Sequence, residues 1–375
     1  MTIGRKLAAR VSQLKRRIPA PDGQPANTAN LAVWIHIGLA KTGTTSLQRS
    51  VFSRHSQILY LGKYWDDSYV THPLHRLARQ NPKGFDFRET RVRFEEMIGN
   101  GAETGLQKRI CLLSEEALTG YRTFNPAICA DRAHEMFPQA NILLVLRQPI
   151  DWLMSMYFFR LGLRFPETLD GFDRWLTAGL VGSGVGTDMG ILHIGAIVRK
   201  WVELQGRDRI KIMFYEEFRA NAEDFVSEMG RALDIDPVEA NALYQAGNKF
   251  AKSRITRRQQ EFCLQFRLVR DGQYDEYVSS VLPVLECLSP KDRRQAEAML
   301  PADLHGTKES LRQSFLQFSR FLDKSARDYL REGEPCHAEL PAELAERVGA
   351  MVIPGLRYIE SEFGLAMDQY IQSVL

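Results

Sequence analysis

The 375-residue chain predicts an α/β fold: a mostly parallel sheet flanked by helices on both faces, with a helical C-terminal extension. Three observations carry that reading. Four short apolar runs, the first rich in β-branched and aromatic residues, alternate with helical stretches through the first two-thirds of the chain. One of them, Asn141-Ile-Leu-Leu-Val-Leu146, is apolar almost without interruption, as a strand buried on both faces must be. From about Ala251 the strand pattern stops and helical patterns replace it. Length suggests one large domain with an appendage, or two domains. Apolar residues at 44% and charged residues at 25% are ordinary globular values and exclude a chain disordered throughout. A net charge of +3 is too small for a nucleic-acid coat, so no nucleic-acid partner is expected. Five scattered cysteines without a Cys-x-x-Cys pair argue against zinc or a dense disulfide framework.

The elements follow in order. Residues 1–18 place Ile3, Leu7, Val11, Leu14 and Ile18 at helical spacing among Arg5, Lys6, Arg10, Lys15, Arg16 and Arg17. This basic amphipathic helix reads either as a contact with an anionic membrane surface or, more plainly, as a solvated N-terminal helix. Residues 19–30 hold three prolines and small polar residues, and read as a linker. The α/β domain is expected over 31–250. Its strands are Leu31–Ile37, Arg109–Leu113, Asn141–Leu146 and Ile210–Phe214. The helical C-terminal region is expected over 251–375, with helices at Ser310–Leu330 and Pro341–Phe363 and a break or kink at Pro354. No run is long and apolar enough to cross a membrane.

Gly38-Leu-Ala-Lys-Thr-Gly-Thr-Thr45 sits where the first strand hands over to a helix. Gly38 and Gly43 permit a tight turn with exposed backbone N–H groups, which favour an anion together with the helix N-terminus. Lys41 adds a mobile charge, and Thr42, Thr44 and Thr45 add hydroxyls. A nucleotide P-loop needs its lysine directly after the second glycine. Here Thr44 stands there, and the lysine has moved inside the loop. The third strand ends in Arg147, and Ser155 follows eight residues later on the next helix. That pair suits a second phosphate, although a buried arginine paired with a carboxylate explains Arg147 equally well.

His36-Ile-Gly-Leu-Ala-Lys-Thr-Gly-Thr-Thr-Ser-Leu47 resembles the 5′-phosphosulfate loop of sulfotransferases that use 3′-phosphoadenosine 5′-phosphosulfate (PAPS). Leu146-Arg-Gln-Pro-Ile-Asp-Trp-Leu-Met-Ser-Met-Tyr157 is similar to their 3′-phosphate motif, and Phe214-Tyr-Glu-Glu-Phe218 to their Tyr-Glu element. The three motifs stand in family order, and the resemblance covers about Leu31 to Lys252. It implies a P-loop NTPase-like sulfotransferase fold and an enzyme that passes a sulfuryl group to an acceptor hydroxyl or amine. The product nucleotide is then adenosine 3′,5′-bisphosphate, and no metal is required. Lys41 would stabilise the leaving phosphate. Lys41, Thr42, Gly43, Thr44, Thr45 and Ser46 would hold the 5′ side of the donor. Arg147 and Ser155 would hold the 3′ phosphate, and Tyr215 would pack against adenine.

The chemistry also needs a base. Ser114-Glu-Glu-Ala-Leu118 follows the second expected strand and resembles a Ser-x-Glu-x-Leu element of bacterial members. Glu116 matches its glutamate and is the first candidate, with Glu115 second. The alternative is a pair of glutamates favoured by a helix dipole. His193, after a glycine-rich stretch, is a further candidate at an acceptor pocket. His36, inside the first strand, reads as a satisfied core histidine. Lys252 and Arg254 are weak candidates for the 3′ phosphate, because the family's Arg-Lys-Gly form is absent.

The acceptor expected from the bacterial look of the motifs is a carbohydrate, with a lipid-linked or small-molecule acceptor close behind. Two other classes stand against this reading. A P-loop kinase or NTPase would explain Ile110–Glu116 as a degenerate metal-binding strand, but Ser114 replaces the metal-binding Asp. A non-catalytic membrane-surface module would explain the basic N-terminus, but not Lys41, Arg147 and Ser155 together. Without a secretory signal pattern, the expected location is the cytoplasm, with peripheral contact at the inner membrane face through residues 1–18.

Overall fold

The computed structural model describes residues 31–63, 72–102, 107–119, 125–181, 188–247, 255–301, 306–334, 336 and 340–375. The expected N-terminal helix and linker, and Lys252 and Arg254, lie outside the described residues. In chain order the elements used below are β1 (Ala32–His36), α1 (Thr44–Leu47), β2 (Ile58–Tyr60), α2 (Pro73–Arg79), β3 (Ile110–Ser114), α3 (Pro126–Met136), β4 (Asn141–Leu146), α4 (Pro149–Gly162), α5 (Ile194–Gln205), β5 (Ile210–Phe214), α6 (Tyr215–Ala220), α7 (Ala222–Ala232), α8 (Pro237–Gly247), α9 (Arg257–Leu264), α10 (Lys308–Ser325), α11 (Arg327–Arg331) and α12 (Ala342–Phe363). The described residues fall into two compact units. One takes those within Met1–Arg147, Ser183–Phe250 and Pro354–Met367. The other takes those within Gln148–Gly182, Ala251–Ile353 and Asp368–Leu375.

The first unit is built on a five-stranded sheet in the order β2-β3-β1-β4-β5, with every pair parallel. Its strands alternate between two buried faces. Ile110, Leu112, Leu143, Val145 and Met213 meet Leu47, Val51 and Phe52 after the loop, and Phe225, Val226 and Met229 of α7. The residues between them, Cys111, Leu113, Ile142, Leu144 and Ile212, are buried too. That double burial is why β4 reads as an unbroken apolar run. Three further strands match the expected runs to within a residue or two. β2 was not expected: Ile58-Leu59-Tyr60 is too short to show a period, and only pairing with β3 identifies it.

The second unit is helical among its described residues. It includes α4, α9, α10 and α11 and carries the first twelve residues of α12. Of the break or kink expected at Pro354, the break is corrected: α12 continues as helix through the proline, which removes one backbone hydrogen bond without ending the helix. The remainder of α12 belongs to the first unit, where Gly355 meets Gly195 of α5. A Cβ on Gly195 would sit 2.2 Å from the Gly355 Cα, so both positions need glycine for the backbones to approach.

Candidate donor-binding and catalytic site

The site forms at the carboxyl edge of the sheet, the usual ligand side of a parallel α/β fold. Beyond β1, Ile37 N–H donates to Leu143 O at 2.9 Å and Leu39 N–H to Val145 O at 3.5 Å. The loop is thereby laid along β4 before it turns. Two residues then take positive φ: Lys41 at 73° and Gly43 at 80°. Lys41 pays a steric penalty there that glycine does not. At Gly43 a Cβ would lie 2.4 Å from the Phe218 ring. Gly43 caps α1 with no side-chain hydrogen bond, so the N–H groups of Thr44 and Thr45 at the helix start remain unsatisfied by a cap.

The loop side chains divide into two groups. Thr42 Oγ1 donates to Leu39 O at 2.6 Å, and Thr44 Oγ1 donates to Glu116 Oε1 at 2.8 Å. Both hydroxyls serve the loop itself. Thr45 and Ser46 are half-buried, and no hydrogen bond of their hydroxyls is present among the described residues. Arg147, directly after β4, donates from Nη1 to Lys41 O at 2.8 Å. The β4–β5 register sets Leu146 against Phe214, so the next residues, Arg147 and Tyr215, stand side by side. The guanidinium lies 4.7 Å from the Tyr215 ring centroid, within cation–π range. Ser155 is half-buried on α4, in the second unit.

The two glutamates occupy different environments. Glu116 begins a short 3₁₀ turn, Glu116–Thr119, and holds the loop through Thr44. Glu115 is fully buried. Its Oε1 accepts from Ala117 N–H at 2.9 Å and from Arg79 Nη2 of α2 at 3.1 Å. Burial and the adjacent Glu116 carboxylate push Glu115 well above the usual carboxylate range, against Lys63 and the Ala117 N–H. The structure therefore brings Glu116, and not Glu115, to a loop hydroxyl.

A polar network that sequence reasoning missed runs beneath the loop. His36 Nδ1 lies 2.7 Å from Ser114 Oγ, and Gln48 Nε2 donates to the same oxygen at 2.9 Å. Burial holds the His36 imidazole down at about 4, although Glu116 pulls it up. Its Nε2 is buried without a partner among the described residues. A Cβ on Gly38 would stand 2.6 Å from that nitrogen, so His36 faces the start of the loop. Its place in an apolar strand beside Gly38 was the one available signal.

α3 and α5 each return the chain to the start of the next strand, so their first turns lie at the same carboxyl edge. Between them is a mostly apolar cavity of about 220 Å³, whose lining includes Asn125, Ala130, His193, Ile197, Lys200 and Trp201. His193 is exposed. Lys200 is paired with Asp131 at 2.6 Å.

Residues 33–246 match the family model for the sulfotransferase domain, more than half of the chain. The chain belongs to the sulfotransferase family. Two solved sulfotransferases are similar to it. The crystal structure of a sulfotransferase from Alicyclobacillus acidocaldarius is 14% identical over 90% of this chain and 97% of that one, with a TM-score of 0.45. Mouse sulfotransferase SULT7A1, complexed with PAP, is 14% identical over 62% of this chain and 70% of that one, with a TM-score of 0.34. No curated protein matches the chain. As a sulfotransferase, the protein is an enzyme of sulfuryl transfer, and its parallel α/β sheet is the fold expected of one. Among the described residues no helix is long and apolar enough to cross a membrane, and no group of three or more His, Cys, Asp or Glu is arranged to hold a metal.

Proposed function

We propose that the enzyme transfers the sulfuryl group of PAPS to an acceptor hydroxyl or amine, releasing adenosine 3′,5′-bisphosphate. The observation that carries this reading is the joining of two motifs 106 residues apart: Arg147 donates to the backbone of Lys41 at the crest of the loop. One edge thus holds two cations, an uncapped helix start and the hydroxyls of Thr45 and Ser46, a donor set suited to phosphate groups. Lys41, Thr42, Gly43, Thr44, Thr45 and Ser46 take the 5′ phosphosulfate, with Thr42 and Thr44 contributing backbone N–H groups. Arg147 takes the 3′ phosphate and Tyr215 supports it beneath the adenosine. Ser155 joins them on the strength of its sequence motif alone.

In the transfer, the acceptor oxygen forms a bond to sulfur while the bond from sulfur to the 5′ phosphate oxygen breaks. The electron pair leaves on the phosphate, where Lys41 and the loop N–H groups stabilise it. The acceptor proton passes to Glu116, anchored to the same loop through Thr44. Glu115, engaged with Arg79, positions this turn. The apolar cavity beside His193 supports an acceptor with an apolar or ring face next to its reacting group. A carbohydrate fits that description, as do a lipid-linked or small-molecule acceptor. The cytoplasm is the proposed location.

Thermal unfolding with adenosine 3′,5′-bisphosphate, compared with magnesium-ATP at equal concentration, tests the donor. A rise in Tm with the bisphosphate alone, lost in Arg147→Ala, is the expected result. A rise with magnesium-ATP alone overturns the assignment in favour of the kinase class.

A further inference from the structure

The geometry points to a second anion site, remote in sequence from the phosphate loop and lying wholly within the helical unit, for a ligand bearing two or more phosphate or sulfate groups. A concavity of about 250 Å³ is lined by Gln259 of α9, by Arg320, Asp323 and Lys324 of α10, and by Arg327 and Arg331 of α11. Arg320 and Lys324 stand at i, i+4 on α10, and Arg327 and Arg331 at i, i+4 on α11, so each pair shares a helical face, and both pairs line the one concavity. All four are exposed, and none makes an ion pair or side-chain hydrogen bond among the described residues.

Other arginines of this unit are treated differently. Arg270 pairs with Asp170 at 2.7 Å and Asp271 at 2.9 Å. Arg258 pairs with Glu332 at 3.0 Å, Arg293 with Glu297 at 3.1 Å and Arg312 with Glu309 at 3.4 Å. The one carboxylate lining the concavity, Asp323, does not neutralise the four cations. It accepts at 3.0 Å from the buried Arg164, whose Nε donates to Ser319 Oγ at 3.2 Å. Gln259 Nε2 also donates to it, at 3.4 Å. The acid is thus committed to a buried cation and holds the floor, while the rim keeps its full positive charge. Like charges at i and i+4 repel. An anion with two charged groups removes that repulsion and can be gripped from α10 and α11 together, with guanidinium forks suited to phosphate or sulfate oxygens.

Isothermal titration of the full chain with inorganic tripolyphosphate tests the site, at low and at high salt. Four proteins are compared: wild type, Arg320→Glu/Arg327→Glu, the charge-matched control Lys291→Glu/Arg294→Glu on the helix Pro290–Met299, and Arg147→Ala, the variant expected to lose anion binding at the loop. Binding that weakens with salt, falls about tenfold or more in the Arg320/Arg327 variant and persists in the control and in Arg147→Ala is the expected result. Unchanged binding in the Arg320/Arg327 variant, equal loss in the control, or loss confined to Arg147→Ala overturns the proposal. Unfolding of each variant without ligand checks its integrity, and Arg320→Gln/Arg327→Gln replaces the reversal if that protein does not fold. Co-sedimentation with phosphatidylglycerol vesicles separates the sources. Vesicle binding lost in the same variant identifies a lipid headgroup, and tripolyphosphate binding without it identifies a soluble ligand. The Arg147→Ala arm keeps this result distinct from the fate of the donor assignment.

Discussion

At the candidate phosphate loop, positive character comes from Lys41 and Arg147 together with backbone N–H groups, and the backbone is held in place by the sheet. At the cationic concavity positive character comes from four exposed side chains on two successive helices. The loop is anchored on both sides. Arg147 grips the Lys41 carbonyl, Thr44 is tied to Glu116, and Phe218 closes on Gly43. Its donors are set before a ligand arrives, which is the arrangement that stabilises developing charge. The rim cations have no such anchors, and their long side chains must be ordered by whatever they bind. On the proposed readings, the contrast separates a site built for a reaction from one suited to retention.

The sharpest way to break the comparison is Lys41→Ala. Turnover should fall by about 10²–10³, the scale for losing one group that stabilises a leaving oxyanion, with a much smaller change in bisphosphate affinity. Single-turnover kinetics beside titration reads both numbers, and a variant that loses affinity instead of rate would make Lys41 a binding residue. Glu116→Gln should likewise abolish transfer and spare donor binding; full activity would move the base role to Glu115 or His193.

The network under the loop gives a pH signature. An ordinary histidine titrates near 6.5, and burial holds His36 at about 4. Folding thus favours the neutral ring. Its contribution is complete above pH 6.5 and is lost as pH falls toward 4, by up to about 3 kcal/mol. Glu115 acts in the opposite sense: its raised carboxyl favours the fold at low pH, and that contribution is lost as pH rises through the raised value. Denaturant unfolding of wild type and His36→Gln across pH 4–7 isolates the histidine. The two stabilities should converge at the acid end, and parallel curves would refute the assignment.

Gly43→Ala tests the preset backbone. The added Cβ meets the Phe218 ring and the residue keeps a positive φ, so a loss of about 1–3 kcal/mol is expected in urea unfolding. A smaller loss in a Phe218→Leu background would locate the clash. The mildest effect is that of salt. Raising ionic strength should weaken anion binding at the exposed rim more steeply than bisphosphate binding at the half-buried loop, and equal slopes would erase the distinction between them.

The four longer strands and the loop were legible because burial and tight turns impose composition directly. β4 must be apolar on both faces, and a phosphate loop needs glycine where Gly43 stands. The sequence by itself therefore determined the α/β class, the parallel sheet's main strands, the helical tail and the candidates Lys41, Arg147 and Glu116. It did not show the three-residue β2, because a run that short has no period. It ranked Glu116 above Glu115 by a motif match but did not show what either carboxylate holds. Adjacent residues of one type differ only in where the chain turns, and that turn sends one carboxylate to Arg79 and the other to Thr44. His36 was visible only as a strand residue, and its contact with Ser114 required β1 and β3 to pair in register. At Pro354 the local pattern left a break and a kink both open, and the helix is continuous there. Tertiary structure decided these points for one physical reason: hydrogen bonds and charge pairs between distant segments depend on strand register and helix placement, which local periodicity does not encode.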